Sequence, residues 1–315
     1  MAEADQVLVA RLRASLSGRV LADEPLAAHT TLRVGGPAAA MVTAETVGDL
    51  SALARICVEL DRPWLVLGRG SNLLVADQGW PGVVVALGRG FRGVVATDGE
   101  LIAGAAEPMP VLAADVARRG LGGFAFGVAI PGSLGGAVRM NAGAMGAELR
   151  EVLAWAEVVR LDLGGAVKRW ETADLAMGYR HTALPAGAVV VRAALQLRPA
   201  EPADIELQMR TFRQWRRDNQ PVNQPSCGSV FRNPEGDSAG RLIELAGCKG
   251  HRVGGAAVSQ KHANFITVEP GARAGDVERV ITDVRAAVAE RTGVVLEPEV
   301  VMAGFDVQLA PGGRA

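Results

Sequence analysis

Between Gly120 and Val138 the chain runs for 19 residues without a charge, and seven of the 19 are glycine. The length matches a membrane span. The residue types do not, because glycine is a poor helix former and Pro131 interrupts the run. The stretch therefore reads as backbone-dominated loops and short strands. Its continuation to Gly146 stays rich in glycine and alanine, so few side chains obstruct the main chain. Bare backbone of this kind is costly unless something must approach closely. It suits a flat ring or a pyrophosphate, or a packing interface of small residues.

A second glycine turn, LGRGSNLL at 67–74, follows the apolar run WLVL. Backbone N–H groups can converge on an anion there, with Ser71 and Asn72 adding short donors. A dinucleotide-binding Rossmann turn needs a third glycine and a following helix. Here Leu73 takes the third position and the continuation is strand-like, which argues against that fold.

Thr46 and Asp49 predict a capped helix over 46–60, with Leu50, Leu53, Ala54 and Cys57 on one face. Pro110 and Gly120 bracket another helix. VLAWAEVVRL, AVKRW and AVVVRAALQL read as strands between 151 and 198, and residues 202–217 as a helix. DNQPVNQPS at 218–226 reads as a linker. Beyond it come a helix near 238–247, a strand at 263–268, and an amphipathic helix at 276–292 that Gly293 ends. VVLEPEVVMAG reads as a last strand, on which Glu297 and Glu299 would point to opposite faces. Segregated strands and helices favour α+β over a doubly wound sheet.

The 315 residues are enough for two domains or three small ones. Basic residues number 33 and acidic 34, a net charge of −1, so no global field attracts nucleic acid or an anionic membrane. Cys57, Cys227 and Cys248 are too few and too scattered for a disulfide framework or a zinc site, and no metal is expected. They suggest a reducing compartment. The first residues include Glu3 and Asp5 and lack a long apolar core, so they do not read as a signal peptide.

Three later segments carry chemistry. GYRHT at 178–182 holds the single tyrosine, Tyr179, beside Arg180, whose fork suits a carboxylate or phosphate. His181 reads as a surface residue. In CGSVFRNP at 227–234 no His-Asp pattern stands near to activate Ser229 as a nucleophile. Its hydroxyl can instead give a proton to a strongly basic carbanion or enolate, whose basicity drives the transfer. Cys227 reads as a bystander thiol. LEPEV at 296–300 adds Glu297 and Glu299, each of which also suits a salt bridge.

Seven segments in order, TTLRVGGPA (30–38), LGRGSNLLV (67–75), IPGSLGGAVRMNAGA (130–144), GYRHT, CGSVFRNP, GGAAVSQKHANFI (254–266) and LEPEV, resemble the UDP-N-acetylenolpyruvoylglucosamine reductase family over about residues 29–304. The short stretch between His181 and Ala188 resembles its shorter type, which lacks an inserted tyrosine-bearing loop. The resemblance implies an α+β fold. A two-subdomain FAD-binding module of the vanillyl-alcohol-oxidase-like (PCMH) type would occupy residues 1–88 and 89–205. An α+β substrate domain would follow at 206–304, then a tail at 305–315. It implies NADPH-dependent, FAD-mediated reduction of the enolpyruvyl ether of UDP-N-acetylglucosamine to UDP-N-acetylmuramate, in the cytoplasm, for peptidoglycan precursor synthesis. FAD would be non-covalent and NADPH a co-substrate. The partner would be the small-molecule UDP-sugar, with no nucleic acid, membrane or obligate protein partner.

The same resemblance assigns residues. Arg180 would polarise the enolpyruvyl carboxylate, Ser229 donate the proton, and Glu299 act as third catalytic group, with Glu297 the second choice. Arg33, Gly68, Gly70, Ser71, Asn72, Leu73, Ile130, Pro131, Gly132, Ser133, Gly136, Asn141, Ala142 and Gly143 would hold the flavin. Tyr179, Asn233 and Arg217 would touch substrate, with Arg216 the alternative to Arg217 for its diphosphate. Two other readings fit the glycine loops: a PCMH-type oxidase and a non-catalytic nucleotide-binding module. None of the histidines 29, 181, 251 and 262 lies in the glycine loops to attach a flavin, which disfavours the first. The second has no use for Arg180, Ser229 and Glu299 together.

Overall fold

The computed structural model describes residues 3–97 and 99–305; apart from Phe305, the tail expected at 305–315 lies outside them. A four-stranded sheet comes first, in the order β1 (Val20–Pro25), β2 (Pro37–Ala44), β5 (Trp80–Leu87), β3 (Trp64–Leu67). β1 and β2 are antiparallel, while β5 runs parallel to both its neighbours. Helix α2 (Val47–Glu59) makes the crossover that parallel pairing requires. It starts where the sequence predicts, because the Thr46 and Asp49 side chains each accept from the other's backbone N–H. Leu50, Leu53, Ile56 and Cys57 bury its inner face, against which α1 (Glu3–Ser15) packs Leu8 and Leu12.

A five-stranded antiparallel sheet follows, in the order β12 (Val167–Glu171), β11 (Leu153–Arg160), β13 (Ala188–Leu195), β7 (Glu100–Gly104), β6 (Val94–Thr97). Its core takes in α3 (Met109–Arg118), α4 (Leu134–Met140) and the buried face of α5 (Pro202–Asn219). Ile205 and Met209 of α5 lie in that core, so the boundary expected at 205/206 passes through a helix that packs with the second sheet. Two short pairs complete this unit: β8 (Leu121–Gly122) with β14 (Arg198–Pro199), and β9 (Gly143–Ala144) with β10 (Ala147–Glu148).

The third unit is a sheet of β15 (Arg252–Val253), β16 (Ala256–Val258) and β17 (Ile266–Val268), covered by α6 (Ala239–Leu245) and α7 (Ala274–Thr292). Gly293, at φ 74°, ends α7 in the left-handed conformation. The last strand, β18 (Val301–Ala303), returns to pair in parallel with β4 (Leu73–Val75). β4 follows the first glycine turn directly, which confirms that no Rossmann helix starts there.

Two expectations need correcting. The glycine-rich stretch contains helix α4 rather than only loops and strands. The Ser133 hydroxyl accepts from the Gly136 N–H at 3.5 Å, Asn141 closes the end at φ 42°, and Leu134, Ala137 and Val138 are buried, so packing outweighs the glycine penalty. Glu297 and Glu299 do not take opposite faces of a strand: residues two apart on a strand share a face, and these two lie outside regular pairing. Pro298 stands between them in a single bridge to Phe231, and regular pairing begins only at Val301.

Candidate active site

The Gly68–Asn72 turn is shaped by contacts that exclude side chains. Gly70 has φ 60°, and a Cβ there would lie 2.1 Å from the His29 carbonyl oxygen. A Cβ on Gly68 would stand 2.8 Å from Ser133 Oγ, at the start of α4. The two glycine-rich segments thus meet face to face. Around them opens a cavity of about 1370 Å³ whose wall includes Arg33, Gly68, Gly70, Ser71, Asn72, Leu73, Ile130, Pro131, Gly132, Ser133, Gly136, Ala142 and Gly143. A second cavity, of about 390 Å³, shares Thr30, Gly68, Ser133 and Gly136 with the first and continues toward Ala105 and Val190. Two connected chambers, joined where bare backbone lies on both sides, fit an elongated dinucleotide such as FAD.

Asn141 differs from the sequence expectation. It is fully buried and off the cavity wall, and its amide is spent inside the protein. Nδ2 donates to the Gly178 carbonyl at 2.8 Å and to Glu148 at 3.1 Å, and Oδ1 accepts from the Arg150 N–H at 2.9 Å. It therefore fastens the end of α4 to the turn that bears Arg180.

Arg180 sits in that turn at φ 52°, where Gly178 and His181 exchange backbone hydrogen bonds. Its Nε donates to Glu299 Oε1 at 3.0 Å and its Nη2 to the Gly143 carbonyl at 3.0 Å, while Glu148 lies 3.9 Å from Nη1. Residues 119 apart in sequence thus form a partly buried ion pair beside the second glycine loop. Glu299 is placed by backbone bonds to both partners. Its N–H donates to the Val230 carbonyl at 2.7 Å, and its own carbonyl accepts from Asn72 Nδ2 at 3.0 Å. Burial pushes the Glu299 carboxyl above its ordinary pKa, and the charges of Arg180 and Arg232 oppose this without overcoming it.

Ser229 lines the same cavity, next to Gly228 at φ 76°. The segment after it is pinned by a residue that sequence reasoning missed. Asn264 is 4% exposed; its backbone carbonyl accepts from the Val230 N–H, and its side chain bonds both the N–H and the carbonyl of Phe231, at 2.9 and 2.8 Å. Val230 then holds Glu299, so one short strand-like segment sets Ser229 and Glu299 side by side. Asn264 lies inside KHANF, but nothing in its spacing signals a strut. Cys227 is buried, and burial, with a small push from Glu299, raises its thiol to about 12; it stays protonated and is no nucleophile.

The substrate side divides the expected residues. Asn233 is on the cavity wall, and its Oδ1 accepts from the Ala239 N–H. Tyr179 is off the wall and 44% exposed, with Arg180 stacked 5.0 Å from its ring centroid and its hydroxyl accepting from the Asn233 N–H at 3.3 Å. Arg217 also points away, bonded to Gln214, whereas Arg216 lines the cavity together with Lys261 and Arg241. Consecutive helical residues diverge by about 100°, and here that turn carries Arg216 toward the cleft and Arg217 away from it. Of the two adjacent arginines, the one on this wall is Arg216, not Arg217. Glu297 is off the wall as well, which leaves Glu299, of those two glutamates, on the cleft.

Comparison with known proteins agrees with this geometry. Residues 38–168 match the model of the FAD binding domain, and residues 220–303 that of the UDP-N-acetylenolpyruvoylglucosamine reductase C-terminal domain. UDP-N-acetylenolpyruvoylglucosamine reductases of Acidiphilium cryptum and Anaeromyxobacter sp. are 48% and 46% identical over 91% and 97% of this chain, and over 92% and 96% of their own lengths. The crystal structure of the Thermus caldophilus enzyme superposes with a TM-score of 0.78 at 36% identity, covering 91% of this chain and 99% of that one. Likeness of this extent, across both the flavin module and the C-terminal unit, leaves one conclusion: the chain belongs to the UDP-N-acetylenolpyruvoylglucosamine reductase family.

Proposed function

We propose that this chain reduces the enolpyruvyl ether of UDP-N-acetylglucosamine to UDP-N-acetylmuramate, with NADPH as electron source and Ser229 as proton donor. The observation that carries this reading is the Arg180–Glu299 pair, held at 3.0 Å beside a glycine-lined cleft that Ser229 also lines. FAD, held without a covalent bond against residues 67–73 and 130–143, supplies the hydride when bound and reduced. The protein's own groups handle the charge that follows. Addition of hydride to the terminal methylene leaves an electron pair on the adjacent carbon, delocalised into the carboxylate. The Arg180 guanidinium, fixed by Glu299 and the Gly143 carbonyl before substrate arrives, neutralises that charge without reorganising. The Ser229 hydroxyl then gives its proton to the carbon, and solvent restores it. Glu299, whose carboxyl burial holds above its ordinary pKa, accepts from Arg180 Nε and so orients the guanidinium.

Arg216, Lys261 and Arg241 supply the positive wall for the diphosphate of the nucleotide sugar, and Asn233 a polar contact. The two sheets and their helices form the flavin module, and the unit from the linker to β18 forms the substrate wall. A loop like the tyrosine-bearing one is absent between His181 and β13, so Tyr179 and Trp215 at the rim are the aromatic groups nearest to a cover. We place the reaction in the cytoplasm, where three free thiols would stay reduced. The test is stoichiometric. The flavin-loaded protein consumes NADPH when the enolpyruvyl UDP-sugar is present; equal consumption with oxygen alone would favour an oxidase.

A further inference from the structure

Arg139 is the one charged residue between Gly120 and Ala147, and it lies on α4, at the wall shared by the two cavities. Its side chain is partly buried. It donates to the carbonyls of Leu184 at 3.5 Å, Pro185 at 3.1 Å and Ala188. A guanidinium has five N–H donors. These three carbonyls leave the Nε–H and one Nη1–H unused. Burial is the influence on its pKa, which it lowers, and no acidic partner offsets it. A partly desolvated cation whose contacts are neutral carbonyls loses some of its hydration, and an anion at its free N–H groups would offset that loss.

The position limits what the anion is. The larger cavity holds the Arg180–Glu299 pair, and the smaller one is lined by Ala105, Val189 and Val190 together with His29, Arg69 and Arg92. A flavin dinucleotide held across both chambers would bring its diphosphate toward the residues that both share, Gly68, Ser133, Gly136 and Arg139. We propose that Arg139 binds the diphosphate of FAD and so selects the dinucleotide over shorter flavins. The inference rests on the flavin reading of the cleft. The free Nε–H and Nη1–H lie on different edges of the guanidinium, so each can donate to a separate phosphate oxygen while the delocalised charge attracts both. The carbonyls of the 184–188 segment pre-orient the fork, so little side-chain freedom is lost on binding.

The test titrates flavin-stripped protein with FAD and, separately, with riboflavin, and follows flavin fluorescence, for the wild type, Arg139→Gln and Arg139→Lys. Loss of a charge-assisted contact predicts FAD binding weakened roughly tenfold to a hundredfold in Arg139→Gln, riboflavin binding changed by less than about twofold, and partial recovery in Arg139→Lys. Unchanged FAD affinity in Arg139→Gln would overturn the assignment and leave the flavin reading intact. Equal losses for FAD and riboflavin would also overturn it, since the arginine would then merely brace the 184–188 segment. A wild type that binds neither flavin would bring down the cofactor reading, and this inference with it.

Discussion

Glu299 lies under two opposed influences, and their balance has a measurable sign. Burial disfavours the carboxylate, while Arg180 at 3.0 Å and the charge of Arg232 favour it; burial prevails and the pKa rises. A carboxyl with a raised pKa keeps its proton at pH values where a free glutamic acid has lost it. Flavin reoxidation by substrate is therefore expected to slow as pH rises through that pKa. In Glu299→Gln, which cannot titrate, this limb should vanish from the pH profile while the plateau rate falls. The same limb persisting in the variant would assign it to another group. The contrast with Cys227 is instructive, because the same burial that prepares Glu299 silences the thiol beside it.

Among the elements, α2 and α7 were legible because a cap and a period agreed: Thr46 with Asp49 at one start, Gly293 at the other end. β11 and β13 were legible from their apolar runs. α4 was hidden, since glycines mask its pattern and its stability comes from tertiary contacts that leave no local trace. The choice between Arg216 and Arg217 turned on the phase of α5, which a boundary error of one residue reverses. The opposite-face reading of Glu297 and Glu299 failed for a different reason: residues two apart on a strand share a face, and Pro298 keeps this segment out of regular pairing. Asp49 shows how far a single cap extends. Its carboxylate accepts from the N–H and hydroxyl of Ser17 and from the N–H groups of Glu45 and Thr46. Burial alone would raise its pKa, but these bonds outweigh burial and hold it below the usual carboxylate range. The stabilisation is thus complete above the ordinary aspartate pKa and lost as pH falls through the depressed value. Asp49→Ala should cost roughly 1–3 kcal/mol at neutral pH, read from urea melts, with the gap to wild type closing in acid. A constant gap across pH would show that the carboxylate's charge is not what matters.

At the scale of the whole molecule, the chain's end is tied back to its beginning. β18 pairs with β4, Asn72 bonds the Glu299 carbonyl, and Asp77 accepts from the N–H groups of Ala274 and Gly275 at the start of α7. The strand that leaves the first glycine turn therefore also carries the carboxyl end of the cleft. The sequence showed which segments matter, but not that parallel pairing would join them, because contacts over more than 200 residues have no periodic signature. On the proposed function, this arrangement would separate two half-reactions within one cleft: reduction of the flavin by NADPH would need the glycine loops, and reoxidation by substrate would need Arg180, Ser229 and Glu299 as well. The decisive measurement is stopped-flow reoxidation of anaerobically reduced protein by the enolpyruvyl UDP-sugar, in wild type and in Ser229→Ala. The account predicts that Ser229→Ala is reduced by NADPH at the wild-type rate but reoxidised by the sugar nucleotide roughly 10²–10⁴-fold more slowly, the span typical of a lost general acid. Reoxidation of Ser229→Ala at the wild-type rate, or an equal loss in both half-reactions, would contradict it.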